Sequence, residues 1–190
     1  MKKENHLNDR QLKWSVADTE LLLQTPVFDV VKQTEVSGTG LRGDYVAVNA
    51  PDWVVIIPIY RDSFVMVRQW RHGEKNMTWE FPGGVMNAGE EPKETALREL
   101  YEETGFRAGK ITELGRCSSN PALFANHFTV FLAEDLEPTG EQHLDEDELL
   151  NCRLMKRRSV IDSFGTPEFS HAFMGTALAF YFRHLGGVPD

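Results

Sequence analysis

The chain has 190 residues, 41% hydrophobic and 26% charged, with a formal net charge of -9. That length and balance suit one folded domain with a real core and exclude a disordered or fibrous protein. The acidic balance disfavours nucleic-acid binding, which needs a basic surface, and the longest apolar run, WVVIIPIY (53–60), is too short to span a bilayer.

Residues 1–15 are polar and read as a lead-in arm, and MKKENHLNDRQLKW has no apolar stretch of the kind a secretory signal needs. From Leu21 to about Trp70 the pattern is β. VFDVVKQTEV, DYVAVNA, WVVIIPIY and FVMVRQW are short runs of branched and aromatic residues, divided by the turn signals SGTGLRGD, NAPD and RDS. WVVIIPI is apolar on both faces, which suits a central strand covered from both sides. TWEF (78–81) reads as a further strand stopped by Pro82.

A helix is expected next, with Glu91 as cap, Pro92 at its first position and Gly105 at its stop. ITELGRC, FTVFLAE and LLNCRLM then read as strands, and a last helix is expected from Thr166-Pro167 through FSHAFMGTALAFYFRHL to Gly186. Strands interleaved with two good helices predict an α/β domain with a mixed sheet. Cys117 and Cys152 lie far apart in no ligand spacing, as expected of two thiols in a cytoplasmic protein, and no histidine pair has zinc spacing.

The helix over 92–104 carries the chemistry. At 100° per residue Ala96, Leu97, Leu100 and Tyr101 fall within an arc of roughly 140°, the face expected to pack on the sheet. Glu99, Glu102 and Glu103 fall within roughly 100° on the far side, where like charges at these spacings each cost about 0.2–0.5 kcal/mol. A solvated acidic face would be eased by interleaved lysines, yet only Arg98 answers Glu102. The other reading is a site for a hard cation such as Mg²⁺, which sits between carboxylates and substrate phosphates. Gly83-Gly84 would let the preceding loop turn tightly and offer a carbonyl to the same cation.

Gly84, Glu90 and the run Arg98-Glu99-Leu100-Tyr101-Glu102-Glu103-Thr104-Gly105-Phe106 resemble the Nudix box, GX5EX7REUXEEXGU with U apolar, at every specified position. The resemblance implies an α/β/α Nudix sandwich with an N-terminal β-extension, and hydrolysis of a nucleoside diphosphate linked to another moiety with Mg²⁺ or Mn²⁺. It implies metal ligands at Glu99, Glu102, Glu103 and the Gly83 carbonyl, with Glu90 and Arg98 bracing the loop against the helix. VFDV (27–30), PDWVVIIPI (51–59), VRQWR (67–71), WEFPGG and Pro121 extend the likeness to the ADP-ribose pyrophosphatase branch.

That branch implies residues 1–50 as dimerising strands, residues 51–190 as the hydrolase domain, and a homodimer with composite sites. The acidic run Asp145-Glu146-Asp147-Glu148 looks like the branch's mobile acidic loop, which makes Glu146 the candidate general base and Glu148 a metal-facing partner. Arg68 and Arg71 suit phosphate, Phe28 and Tyr45 are either base-sandwiching aromatics or core, and Pro121 belongs to the substrate site. One departure is Ala122 where the branch usually has glycine, with Asn126-His127 further on, which keeps GDP-mannose or another sugar nucleotide open beside ADP-ribose. A non-catalytic Nudix-like sensor would be expected to lack box glutamates, and an RNA decapping enzyme would be expected to carry a basic stripe.

Overall fold

The computed structural model describes residues 6–144 and 148–187. The chain divides into two compact units, the first running to Pro51 and taking in Ser118–Asn126, the second formed by Asp52–Cys117 and the chain from His127 onward.

The first unit begins with one helical turn, α1 (Asp9–Leu12), whose entry is closed by reciprocal bonds between Asn8 and Gln11. β1 (Trp14–Gln24), β2 (Asp29–Ser37) and β3 (Arg42–Asn49) form an antiparallel three-stranded sheet in that order. Leu21 stands opposite Val31, and Val31 opposite Ala47. β1 starts seven residues before the expected Leu21, because all of it is exposed and a strand with no buried side imposes no apolar alternation. Segment 118–126 joins this sheet: the Val48 N–H donates to the Leu123 carbonyl at 2.8 Å, and the Ala125 N–H donates to the Val48 carbonyl at 3.0 Å.

The second unit holds β4 (Trp53–Tyr60), β5 (Ser63–Arg71), β6 (Asn76–Glu80), α2 (Pro92–Thr104), β7 (Phe106–Ser118), β8 (His127–Pro138), β9 (Leu150–Lys156), α3 (Arg157–Ser163) and α4 (Ala172–Leu185). Its mixed sheet runs β6-β5-β4-β8-β7, with β9 paired to β5. β4 and β8 are parallel with Ile56 opposite Phe131, and β5 and β9 are antiparallel with Val65 opposite Leu154. The alternation of a strand then divides the core in two. Val55, Ile57, Phe64 and Met66 face Met174, Leu178 and Tyr181 of α4, while Val54, Ile56 and Val65 face Ala96 and Leu100 of α2. The sheet is thus covered on both faces, as the apolar run 53–59 anticipates, and the result is the α/β/α sandwich.

Two helices of this unit differ from expectation in their place along the chain. α4 begins at Ala172 rather than Thr166, because Pro167–Phe169 closes a separate 3-10 turn and His171 caps the helix by accepting the Phe173 N–H at Nδ1 (3.3 Å). α3 is unanticipated, since Val160 is its only buried residue and one contact leaves no periodic signal. Among the described residues no helix is long and apolar enough to cross a membrane.

Phe64 is fully buried, edge-on to Phe81 (5.2 Å) and Tyr181 (5.6 Å). Phe64→Ala is expected to lower unfolding free energy by about 3–5 kcal/mol, read as a lower midpoint in urea titration; an unchanged midpoint would contradict this core.

Candidate active site

The loop after β6 lies along β4 as a partial strand. The Pro82 and Gly84 carbonyls accept from the Ile56 and Val54 N–H groups at 2.8 and 2.9 Å, and the Met86 N–H donates to the Asp52 carbonyl at 2.9 Å. The Gly83 N–H, which points opposite to the Pro82 carbonyl of the same trans peptide, donates to Glu103 Oε2 at 2.9 Å. Among the described residues nothing donates to the Gly83 carbonyl. Close approach requires glycine at 83, where a Cβ would run into the Val54 backbone carbonyl, while a Cβ at Gly84 would displace the Glu99 carboxylate.

α2 has the expected ends: Glu91 at the N-cap, Pro92 in the first turn and Gly105 in the left-handed conformation at φ 67°. Its rotation differs from the expected one. The buried stripe is Thr95, Ala96, Glu99, Leu100, Glu103 and Thr104, so two of the three clustered glutamates lie inward while Leu97 is exposed. Glu99 is 8% exposed and Glu103 only 2%. The reason is the glycine loop, which gives those carboxylates a buried surface to meet.

Arg98 collects the remaining charge. Its Nε and Nη2 donate to the two oxygens of Glu90 at 2.9 and 3.1 Å, while Nη1 donates to Glu99 at 2.8 Å and Glu102 at 3.0 Å. The Arg98 guanidinium, with help from the Asn87 N–H, holds the Glu90 carboxyl down to about 2. Burial pushes Glu99 up to about 7 against the pull of Arg98, and burial lifts Glu103 well above the usual carboxylate range, the Gly83 N–H offsetting only part of it. Two buried carboxylates thus lack a sufficient counter-charge, and an all-oxygen set of this kind fits a hard dication such as Mg²⁺. As the side chains stand, among the described residues no three His, Cys, Asp or Glu groups converge closely enough to hold a metal. The Glu99 and Glu102 carboxylates are both turned to the Arg98 guanidinium, and Glu103 to the Gly83 N–H.

Glu99, Glu102, Glu103 and Glu148 line one cavity of about 400 Å³ with Gly83, Gly84, Arg98 and Arg71. Glu146 lies outside the described residues. The approach to it is anchored on α2: the Thr139 N–H donates to the Gly105 carbonyl (2.7 Å) and the His143 N–H to the Glu102 carbonyl (2.8 Å). The His143 ring stacks on Tyr101 at 4.8 Å and shares a hydrogen bond with its hydroxyl. These contacts satisfy carbonyls that a helix end leaves open.

Arg71 reaches the cavity and Arg68 does not. Three positions apart on a strand, they point to opposite faces. Arg68 donates to Glu168 at 2.6 Å and lies over the Trp79 ring at 5.4 Å. Gln69 shares the face of Arg71 and lines the cavity, as do Trp53 and Asn87. These three escape a reading by charge, although the two-residue spacing from Arg71 could have marked Gln69. In the first unit, Tyr45 and Pro121 line a second cavity of about 370 Å³ with Trp14, Gln33, Glu35 and Ala122. Trp14 meets Tyr45 edge-on at 5.4 Å. Phe28 lines a different groove, over 24–29 and 49–51, so one chain does not bring Phe28 and Tyr45 together.

A sequence model of the NUDIX domain matches residues 50–173. The chain is 35% identical over 127 residues to the ADP-ribose pyrophosphatase of Bacillus subtilis (strain 168), covering 61% of this chain and 69% of that one. It is 28% identical over 168 residues to the ADP compounds hydrolase NudE of Escherichia coli (strain K12), covering 87% and 90%. A crystal structure of an ADP compounds hydrolase superposes with a TM-score of 0.81 at 27% identity, over 95% of this chain and all of that one.

A cation binding this cavity must displace protons from carboxylates that burial has raised. Mn²⁺ affinity is therefore expected to rise with pH, up to about tenfold per unit for each proton displaced, and to flatten only beyond the Glu99 value of about 7. Calorimetric titration across that range measures it; an affinity independent of pH would argue against these ligands.

Proposed function

The chain belongs to the NUDIX family of hydrolases, and from that premise we propose that it is a metal-dependent pyrophosphohydrolase of a nucleoside diphosphate sugar of the ADP-ribose kind. Its products are a nucleoside monophosphate and a sugar phosphate. The observation that carries the reading is the buried pair Glu99 and Glu103, set against a glycine loop in a cavity that an arginine outside the box also lines. The relatives named for ADP-ribose and ADP compounds support the adenosine side of the substrate.

Glu99, Glu102, Glu103 and Glu148, with the Gly83 carbonyl, are the residues that would hold Mg²⁺ or Mn²⁺. When bound, such ions neutralise phosphate charge and make a water molecule more acidic. The chain supplies the rest. The Gly83 N–H fixes the rotamer of Glu103, and Arg98 holds the box rigid by its bonds to Glu90, Glu99 and Glu102. Arg71 and Gln69 face the diphosphate. Water attacks one phosphorus, the bridging P–O bond breaks, and the water's proton passes to a carboxylate, for which Glu146 is the candidate. The candidate surface for the base, within the composite site of a homodimer, is the first unit's cavity of Tyr45, Trp14 and Pro121, whose wall includes Ala122. That departure keeps GDP-mannose as the alternative substrate. A non-catalytic sensor is the alternative from another class, disfavoured by an intact set of box glutamates.

The homodimer is part of the proposal. It is supported by the apolar side chains that β1 and its following turn leave exposed, among them Val16, Leu21, Leu22, Leu23 and Val27. Light scattering is expected to give twice the chain mass, and a monomer at micromolar concentration would remove this part.

With Mg²⁺ or Mn²⁺, a panel of ADP-ribose, ADP-glucose and GDP-mannose is expected to yield a nucleoside monophosphate from at least one compound, with ¹⁸O from solvent in a product phosphate. Glu103→Gln is expected to lower kcat by at least about 100-fold, since even groups behind metal ligands cost 10–100-fold. No turnover on the panel would overturn the substrate class, and full activity in Glu103→Gln would overturn the ligand assignment.

A further inference from the structure

Two arginines line the acidic cavity, and they are spent differently. Arg98 is committed to Glu90, Glu99 and Glu102. Arg71 makes no ion pair with any of them. Its Nε donates to Glu80 Oε1 at 2.8 Å and its Nη2 to Glu80 Oε2 at 2.6 Å, a side-on pair that leaves Nη1 without an acceptor among the described residues. The pair is sealed on one side and open on the other: the Glu80 side chain is 4% exposed and that of Arg71 29%. Glu80 itself lies outside the cavity that Arg71 lines.

Glu80 is fixed from behind. The buried Thr78 hydroxyl donates to Oε1, and His171 Nε2 stands 3.8 Å from Oε2. The ring of His171 is oriented by its cap on α4, where Nδ1 accepts the Phe173 N–H, so the neutral ring carries its proton on Nε2, toward Glu80. Burial lowers the His171 pKa and favours that neutral form. An arginine beside Glu99, Glu103 and Glu148 with no other partner would fold onto them, as Arg98 does onto its neighbours. Glu80 prevents this by taking one edge of the guanidinium. Bidentate arginine is the side chain best matched to phosphate, and one whose orientation is already fixed loses less freedom on binding.

We infer that Glu80 is a positioning residue, which holds the Arg71 guanidinium off the metal-facing carboxylates and presents its free Nη1 edge to a phosphoryl oxygen of the substrate diphosphate. Thr78 and His171 complete the device by holding Glu80. The inference deepens the function proposed above, resting on its diphosphate substrate, but its test is separable from it.

The probes are inorganic pyrophosphate, titrated calorimetrically in metal-free buffer, and whichever panel compound the wild type turns over. Glu80→Gln keeps the shape of the side chain but puts an amide donor against Nη2. It is expected to weaken pyrophosphate about tenfold and to raise KM by a similar factor, with kcat within about threefold, the signature of lost ground-state anchoring. Thr78→Val, which removes only the hydroxyl behind Glu80, is expected to move both quantities the same way by about threefold. It decides the matter if Glu80→Gln does not fold. Wild-type pyrophosphate affinity in either folded variant would overturn the inference, as would a fall in kcat with KM unchanged. If the wild type turns over nothing on the panel, the substrate reading fails while the pyrophosphate titration still decides the role of Glu80.

Discussion

The hydrogen bond from the Gly83 N–H to Glu103 ties the carboxylate helix to the sheet, and much of the second unit follows from it. A carboxylate 2% exposed loses nearly all its hydration, which is tolerable only where donors or cations replace water. Gly83 can supply that donor because β4 holds the Pro82 carbonyl of the same trans peptide, which turns the N–H the opposite way, toward α2. Gly83 has no room for a Cβ beside the Val54 carbonyl, so the contact and the residue type go together. β4 must therefore be central, and α2 must present two glutamates rather than a wholly apolar stripe to the interior.

The same constraint explains why positive charge in the cavity is divided. One guanidinium cannot both brace the box and meet a substrate, and Arg98 is fully occupied by Glu90, Glu99, Glu102 and the Val85 carbonyl. Arg71 comes from a different element, β5, and its carboxylate partner from β6, so its geometry is set independently of α2. Burial raises Glu80, yet the bonds from Arg71 outweigh it and hold the carboxyl below its usual value. The pair is thus ionised on both sides, and the charge Arg71 shows to the cavity is oriented rather than neutralised. An acidic protein can attract an anion there only through such local arrangements, together with the cations its carboxylates would bind.

What the sequence discloses depends on how local the cause is. Pro92 and Gly105 mark the ends of α2 because capping is decided by neighbouring residues, and the apolar run 53–59 reveals a covered strand because every residue of it is apolar. The box is legible as a spacing. The rotation of α2 is not, since periodicity sorts residues by polarity and a buried glutamate counts as solvent-facing until its partner, 20 positions away at Gly83, is known. Arg68 and Arg71 look alike as charges and differ only by strand parity, which the sequence does contain. The Arg71–Glu80 pairing is local to a hairpin, but the Glu80–His171 approach joins residues far apart in the chain, and no local signal foretells it. β1 is hidden for the opposite reason, having no buried face to leave a pattern.

Segment 118–126 belongs to the first unit although it lies between two strands of the second unit's sheet. It connects β7 to β8, the strand parallel to β4, yet backbone hydrogen bonds of Leu123 and Ala125 tie it to Val48 in the first unit. Its residues Pro121 and Ala122 border the cavity of Tyr45 and Trp14, which contains none of the box glutamates. A substitution there changes the shape of an aromatic pocket, whereas a change of similar size at Gly84 drives an atom into Glu99. On the function proposed above, substitutions in segment 118–126 act on recognition of the base and leave the box glutamates unchanged. On the same proposal the departure at Ala122 concerns which nucleotide is bound, and hydrolysis falls to the intact box.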